Sequence, residues 1–407
     1  MSAGARATAW MCAAHVLSMA AFSTYPALLP RLQVEWGLSN AQAGLVGGAL
    51  FAGYMACVPL LSALTDRVDA RRVYLAASLT GAVGALGFAG FASGAAMAVV
   101  CQLLIGAGVA GTYMPGLKAL TDAIGAGQSR PVSYYTAVFG IGIALSLVCA
   151  GYVADASGWR TAFAVAAVGP ALAGAMVYLG MPKSPAAQQP GHVESLAAGF
   201  RRVIGNRQAR PYILCYAVHC WELFGSRSWM VAFLAFARGD ASWALSPVAI
   251  AAIANLFAPP ASVMGNELSI RAGRGRVIRT VMAASGLLTC TLGFVTGSPW
   301  WIVAALFFLH VTLVNGDSAS LTAGVVAAAE PGLRGTTMAV HSTFGFASGI
   351  LAPLVFGAAL DWAGGESQPS AWVGAFVTLG VGGVLASIVL QPGSRPSVKR
   401  GERDSSA

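Results

Sequence analysis

Several residues capable of acid–base or ion-binding chemistry stand inside long apolar runs: His15, Tyr113, Lys118, His219, Glu222, Arg227, His310 and Asp317. Ionisable groups are expensive in hydrocarbon and mark pathways for protons, ions or solutes. Glu222 and Asp317 have the chemistry to bind a proton or a cationic solute. Asp317 lies seven residues after His310, which places the two on one helical face about 10.5 Å apart along the axis. His219 and Glu222, three apart, share a face that Ser226 extends, while Arg227 points about 140° away. Lys118 follows Tyr113-Met-Pro-Gly-Leu, where Pro115 and Gly116 loosen a helix and free backbone groups to line a cavity.

Each of these residues also has a purely structural reading. Asp317 could be a carboxylate capped by Asn315, Ser318 or Ser320, and Glu222 could pair with Lys118 to fix the packing of two halves. Lys118 stands close to Asp122 and a span end, which favours snorkelling to the surface. His15 could be a satisfied core histidine. Trp221 and Trp229 read as packing or interface residues rather than a ligand cage. No G-x-x-x-x-G-K-[ST] motif occurs, so ATP is not argued as the energy source. With no Ser/His/Asp set or metal cluster on a common face, no metal and no cofactor are expected, and a membrane enzyme is the weaker class.

Twelve stretches of about twenty apolar residues position these groups, starting near Thr8, Asn40, Val73, Ala96, Val132, Thr161, Pro211, Ser246, Val277, Trp300, Thr337 and Ala371. Of the 407 residues, 57% are hydrophobic and 10% charged, far from the roughly 25% charged of a soluble domain. Soluble helices each need a polar stripe, and barrel strands alternate with period two. Runs such as Val73-Tyr-Leu-Ala-Ala-Ser-Leu-Thr-Gly-Ala-Val show neither. Gly81, Gly84 and Gly87 recur at helical spacing, as close helix packing in lipid requires. The expected fold is an all-α membrane protein of twelve transmembrane helices in two six-helix bundles. The bundles are 1–181 and 211–391, joined by a cytoplasmic linker at 182–210 and followed by a tail at 392–407 expected to be disordered. Within the linker, Leu196, Phe200 and Val203 recur beside Arg201 and Arg202, predicting a short amphipathic helix on the inner face.

The net charge of +9 invites a nucleic-acid partner, and its distribution argues against one. Arg67, Arg71 and Arg72, Arg130, the Lys183 to Arg210 group, Arg271 to Arg279, Arg334 and the tail share one side once the N-terminus is placed in the cytoplasm. The other side holds little beyond Arg31, Arg160 and Arg238. This is the positive-inside bias, and it places both termini in the cytoplasm. The seven cysteines all fall in apolar runs without metal or redox spacing, and buried packing is their expected role.

The halves repeat at an offset of about 205 residues. Phe139-Gly140 answers Phe344-Gly345, Gly151 to Asp155 answers Gly357 to Asp361, and the basic break at Arg67 to Arg72 answers that at Arg271 to Arg276. Interior ionisable residues fall in spans 1, 4, 7 and 10, with His341 early in span 11. A period of three helices is what nested, inverted three-helix repeats give, with the first helix of each lining a central site.

These features carry a resemblance. Ser62-Ala-Leu-Thr-Asp-Arg-Val-Asp-Ala-Arg-Arg is similar to the loop signature G-x-L-x-D-R-x-G-R-R of the major facilitator superfamily: Leu64, Asp66, Arg67 and Arg71 match, while Ser62, Asp69 and Ala70 depart. Gly158-Trp-Arg also resembles the family. The resemblance implies a secondary transporter, functional as a monomer among membrane lipid, moving a small organic solute by alternating access, and Asp317, Glu222 and the buried histidines lead to an expectation of proton coupling. It also implies a cytoplasmic gate in which Asp66, flanked by Arg67 and Arg71, meets the start of span 11 near Thr336, read as an N-cap. Subclass marks are missing: Gln102 stands in place of the arginine of R-x-x-Q-G in span 4, span 5 lacks the Gly-Pro pair of drug antiporters, and spans 2 and 8 lack the arginines of nitrate carriers. Efflux of drugs or metabolites shares the same architecture, and a channel is disfavoured by the two-fold repeat. Compact loops and the high Ala and Gly content point to a bacterial inner membrane.

Overall fold

The computed structural model describes residues 3–65, 67–125, 129–183, 196–330 and 333–390. Among them the regular structure is helical, with no strand. In the first half run α1 (Ala3–Ser18), α2 (Thr24–Trp36), α3 (Asn40–Leu64), α4 (Ala70–Phe91), α5 (Ala95–Ile124), α6 (Ser129–Ser157) and α7 (Trp159–Gly180). The short α8 (Leu196–Gly205) follows. The second half comprises α9 (Ala209–Arg238), α10 (Pro247–Leu256), α11 (Ala258–Ala272), α12 (Arg274–Leu292), α13 (Trp300–Gly316), α14 (Ser318–Ala327), α15 (Arg334–Trp362) and α16 (Pro369–Val389). Three spans are broken pairs: α1–α2, α10–α11 and α13–α14. Counting each pair once, the helices make two bundles of six spans.

Among the described residues ten segments are long and apolar enough to cross a membrane. The remaining two are α1–α2, split into 16 and 13 residues, and α9, which carries Arg210, Glu222, Arg227 and Arg238. Two of the breaks have a plain local cause. At Phe257 the prolines at 259 and 260 remove two donors, which suits a helix start and not its interior. Between α1 and α2 the turn at 19–23 frees backbone groups, and Ser146 of α6 takes up two of them. Its hydroxyl accepts from the Ser23 N–H at 3.0 Å and donates to the Ala20 carbonyl at 2.7 Å. A side chain from a neighbouring helix thus replaces the missing helical bonds.

The two halves meet along α3 and α15, α6 and α10, and α2 and α9. The first pair is the tightest seam. Gly44 lies on the Pro353 carbonyl and Gly357 on the Asn40 carbonyl, so closely that a Cβ at either position would overlap the opposing backbone. Small residues allow this approach, and in lipid such packing drives association where the hydrophobic effect is absent. The seam lies toward the face of the bundle where α3 begins and α15 ends, called here the distal face. The opposite, N-terminal face carries the start of α1, the end of α3 and α8.

α8 has Val203 buried and Phe200 half-buried, and its Arg201 and Arg202 face out. It is docked against α9 and α15 rather than lying free. Arg202 pairs with Glu330 at 2.8 Å, and Gly199 sits on Thr336. The tail at 392–407, residues 184–195 of the linker and Asp66 lie outside the described residues.

Candidate functional site

A cavity sits between the halves at mid-height, bordered by Phe22, Phe51 and Gln102 from one side and Arg227, Ser228 and Asn255 from the other. It is narrow, with space for about two water molecules. Arg227 is its charged residue. The Arg227 Nε donates to Asn255 Oδ1 at 3.1 Å, and Asn255 is held in turn by its Nδ2 bond to the Ala251 carbonyl at 2.8 Å. Among the described residues no carboxylate comes within ion-pair distance of Arg227.

Toward the N-terminal face an aromatic layer closes the cavity. Phe51 packs on Phe224 with centroids 4.3 Å apart, and Tyr54 on Phe346 at 4.2 Å, so both pairs join opposite halves. At the distal face the seam ends in a polar lock. The Asp361 carboxylate accepts from the backbone N–H of Asn40 at 3.0 Å, from Asn40 Nδ2 at 2.8 Å and from the Ala41 N–H at 2.8 Å. An aspartate of the second half therefore caps the first turn of a helix of the first half, where free N–H groups favour an anion.

Behind the cavity, within the second half, the ionisable residues on α9, α13 and the α13–α14 break converge. Glu222 accepts hydrogen bonds from the hydroxyls of Ser285 and Thr289, both on α12, the latter at 2.8 Å. Thr289 Oγ1 also lies 3.0 Å from His310 Nδ1, which is itself 3.9 Å from Glu222 Oε1. One helical turn away His219 Nδ1 stands 2.8 Å from Asp317 Oδ1, at an angle too oblique for a linear hydrogen bond. Tyr216 stacks on His341 with centroids 3.7 Å apart. His219, Glu222, His310, Asp317 and His341 are all buried.

His219, Glu222, His310 and Asp317 are thus brought together, though not in the pairs that helical spacing suggested. His310 couples to Glu222, and Asp317, sitting at the break, couples to His219. None of Asn315, Ser318 and Ser320 caps Asp317: Asn315 bonds the Val311 carbonyl and Ser320 bonds Ser269. Lys118 is not a partner of Glu222, because its ammonium pairs with Asp122 at 2.7 Å one turn along α5.

His15 lies apart from this network. It is fully buried and stacked on Tyr135 at 4.5 Å, with Tyr113 and Phe139 completing an aromatic cage, and neither ring nitrogen has a hydrogen-bond partner among the described residues.

At the N-terminal face Arg71 is engaged within its own half. It bonds Asp69, with Nη2 to Oδ2 at 2.7 Å, and the Met181 carbonyl at 2.9 Å, while Asp69 caps α4 through the Arg71 N–H at 3.1 Å. Asp69, which departs from the family pattern, is the residue that holds the arginine. Arg67 stands exposed in the turn. Thr336 is not an N-cap. α15 begins at Arg334 after Leu333, and Thr336 faces Gly199 of α8 from inside the first turn.

Spacing did not single out Ser285, Thr289, Asn255 or Asp361 as site residues. The first three lie on helices with no buried charge of their own to draw attention. Asp361 was visible only as a mark of the repeat, at the position answering Asp155.

Two six-span bundles with a cavity between them that holds one arginine fit a membrane transporter. Residues 11–263 match the model of the Major Facilitator Superfamily, and the chain belongs to that family. It is 25% identical over 396 residues to a probable sulfoacetate transporter, SauU, of Cupriavidus necator, covering 89% of this chain and 88% of that protein. Among solved structures it is similar to a mutant form of the nucleoside transporter NupG, with TM-score 0.78 and 16% identity over 94% of this chain and 98% of that one. It is also similar to a bacterial homologue of the human lysosomal transporter Spinster, inward-facing and unoccupied, with TM-score 0.76 and 14% identity over 95% and 97%.

Proposed function

We propose that the chain is a proton-coupled secondary carrier that takes a small organic solute across a bacterial inner membrane as a monomer by alternating access, with both termini cytoplasmic. The observation that carries this reading is the layout of α9. One helix places His219 and Glu222 in the buried acid–hydroxyl–imidazole network and Arg227, about a turn and a half on, in the cavity between the halves. A change of proton occupancy in the network and a change of solute occupancy in the cavity then act on one rigid element, as coupling between two sites requires.

The basic loops support placing the N-terminal face in the cytoplasm, which makes this an outward-closed form. In the alternate state we assign Asp66 to the start of α15, with Arg67 beside it. Asp66→Asn then slows flux and raises thiol-reagent access to the cytoplasmic side of the cavity, while expression stays normal. Unchanged flux and access would reduce the loop to a topology signal.

Purified protein in proteoliposomes, given an inward proton gradient and a panel of small acids and nucleosides, tests the carrier reading. Accumulation that collapses with uncoupler is the expected result. Accumulation indifferent to uncoupler would remove the proton from the scheme, and solute moving only outward would make the carrier an exporter.

A further inference from the structure

Resting on the carrier reading, we infer that the transported solute is a small organic monoanion, with one carboxylate or sulfonate held by Arg227 and a neutral polar remainder. An arginine inside a membrane bundle normally has a carboxylate or a set of carbonyls to offset its charge. Here the described surroundings supply one neutral acceptor, Asn255 Oδ1 at 3.1 Å from Nε. The guanidinium has five N–H donors in a planar fork suited to a carboxylate or sulfonate edge.

Arg227 lines the cavity between the halves, and the other polar side chains there, Ser23, Gln102, Ser228 and Asn255, are uncharged. The nearby acids are turned away from it: Glu222 bonds to Ser285 and Thr289, and Asp317 faces His219. The cavity therefore offers one positive charge with no competing anion, beside Phe22 and Phe51.

The count of charges limits the ligand. A second acid group would find no cation on the lining, since Lys118 is committed to Asp122. A dianion such as sulfoacetate would leave a charge uncompensated in a low-dielectric space. The narrow closed cavity further favours solutes of few heavy atoms.

Binding to the purified full-length protein in detergent tests this without any need for flux. The probes are glycolate, lactate and isethionate, the neutral counterparts glycolamide and lactamide, and the dianions malonate and sulfoacetate, with chloride as the salt control. At least one monoanion should raise the thermal midpoint saturably, its neutral counterpart should not, and the dianions should bind at least about tenfold more weakly.

Arg227→Gln should weaken monoanion binding about ten- to a hundredfold, the range for losing a charge-assisted contact. Because that variant risks misfolding, Asn255→Asp serves beside it. It places a carboxylate where Arg227 already bonds, keeps the packing, and should suppress monoanion binding to a similar extent. The inference is overturned if no monoanion shifts the midpoint beyond chloride, if amides bind as well as acids, if dianions bind as tightly as monoanions, or if both variants bind like the parent. Monoanion binding without gradient-driven flux would sink the carrier reading and leave the site standing. Flux of a neutral solute that survives Arg227→Gln would do the reverse.

Discussion

At the residue scale the buried network turns on Glu222, whose carboxylate is held by two hydroxyls, with the His310 imidazole 3.9 Å away, rather than by a permanent cation. Such a group takes and releases a proton without breaking a strong ion pair. Glu222→Gln preserves shape and one acceptor while removing titration. It should reduce the accumulation ratio to about unity in proteoliposomes and spare solute exchange, since exchange needs no net proton movement. Asp317→Asn should do the same through His219, and variants that kept full accumulation would confine both acids to packing. His15 gives the opposite expectation. Its two ring nitrogens are unpartnered among the described residues, and a buried unsatisfied polar group costs about 1–3 kcal/mol. His15→Phe, stacking on Tyr135 in the same cage, should leave transport intact and raise the thermal midpoint. Loss of flux with a normal midpoint would restore His15 to the pathway. The sequence made these residues conspicuous because charge inside an apolar run is rare. It did not reveal their partners, because Ser285, Thr289 and Asn255 are uncharged and reach the site only through helix packing.

At the scale of elements the seam between α3 and α15 decides which face is closed. Its glycines permit contact, but they do not favour the closed state by charge. Asp361 does, through two backbone N–H groups and the Asn40 amide. Replacing it with asparagine keeps volume and one oxygen but removes the charge that the helix end favours, worth about 1–2 kcal/mol in partly buried geometry. Asp361→Asn should therefore shift the closed-to-open ratio at the distal face about tenfold, read as faster labelling of a cysteine placed at Ser228. Unchanged labelling would show that the glycine contact alone holds the seam. Glu366, in the turn after α15, adds a pH dependence. Burial and the neighbouring Asp361 charge push its carboxyl above the ordinary range, while a hydrogen bond with Gln33 of α2 pulls the other way. Opening would expose it and return it toward the ordinary value. A raised pKa in the closed form means that its contribution to closure is complete below the ordinary value and is lost as pH rises through the raised one. Distal labelling should then speed up on raising the pH across that window, and Glu366→Gln should flatten the profile. The amphipathic pattern of α8 was legible beforehand. The Asp361 lock was not, since it joins residues more than three hundred positions apart with no periodic signal between them.

Across the whole molecule the repeat has kept its geometry and divided its chemistry. His15, Tyr113 and Tyr135 answer His219, Asp317 and His341 at offsets close to 205, yet the first set is an uncharged aromatic cage and the second a buried network. Twelve spans and two halves could be read from hydropathy and the repeat, because bilayer thickness fixes the length of every span. Which half carries the ions could be read only in part, since equivalent positions hold residues of different chemistry. With Arg227 and Glu222 both on α9, the proposed solute and proton sites both fall in the second half, while the first supplies the opposing wall. If the halves move as rigid bodies, tying their distal ends together must stop the cycle without disturbing either site. Cysteines at Asn40 and Asp361, whose side chains now touch at 2.8 Å, are placed to be joined by a short bifunctional thiol reagent, with the exposed Cys149 replaced by serine. The cross-linked double variant should lose flux almost completely, since solute can no longer leave or enter at the distal face, and reduction of a cleavable linker should restore it. Ligand binding in detergent should survive the link, because the aromatic layer on the N-terminal side of the cavity remains free to part. Flux that persisted through the cross-link would mean that the distal ends do not separate during transport, and the rocking of two bundles would have to be replaced by a local opening elsewhere along the cavity.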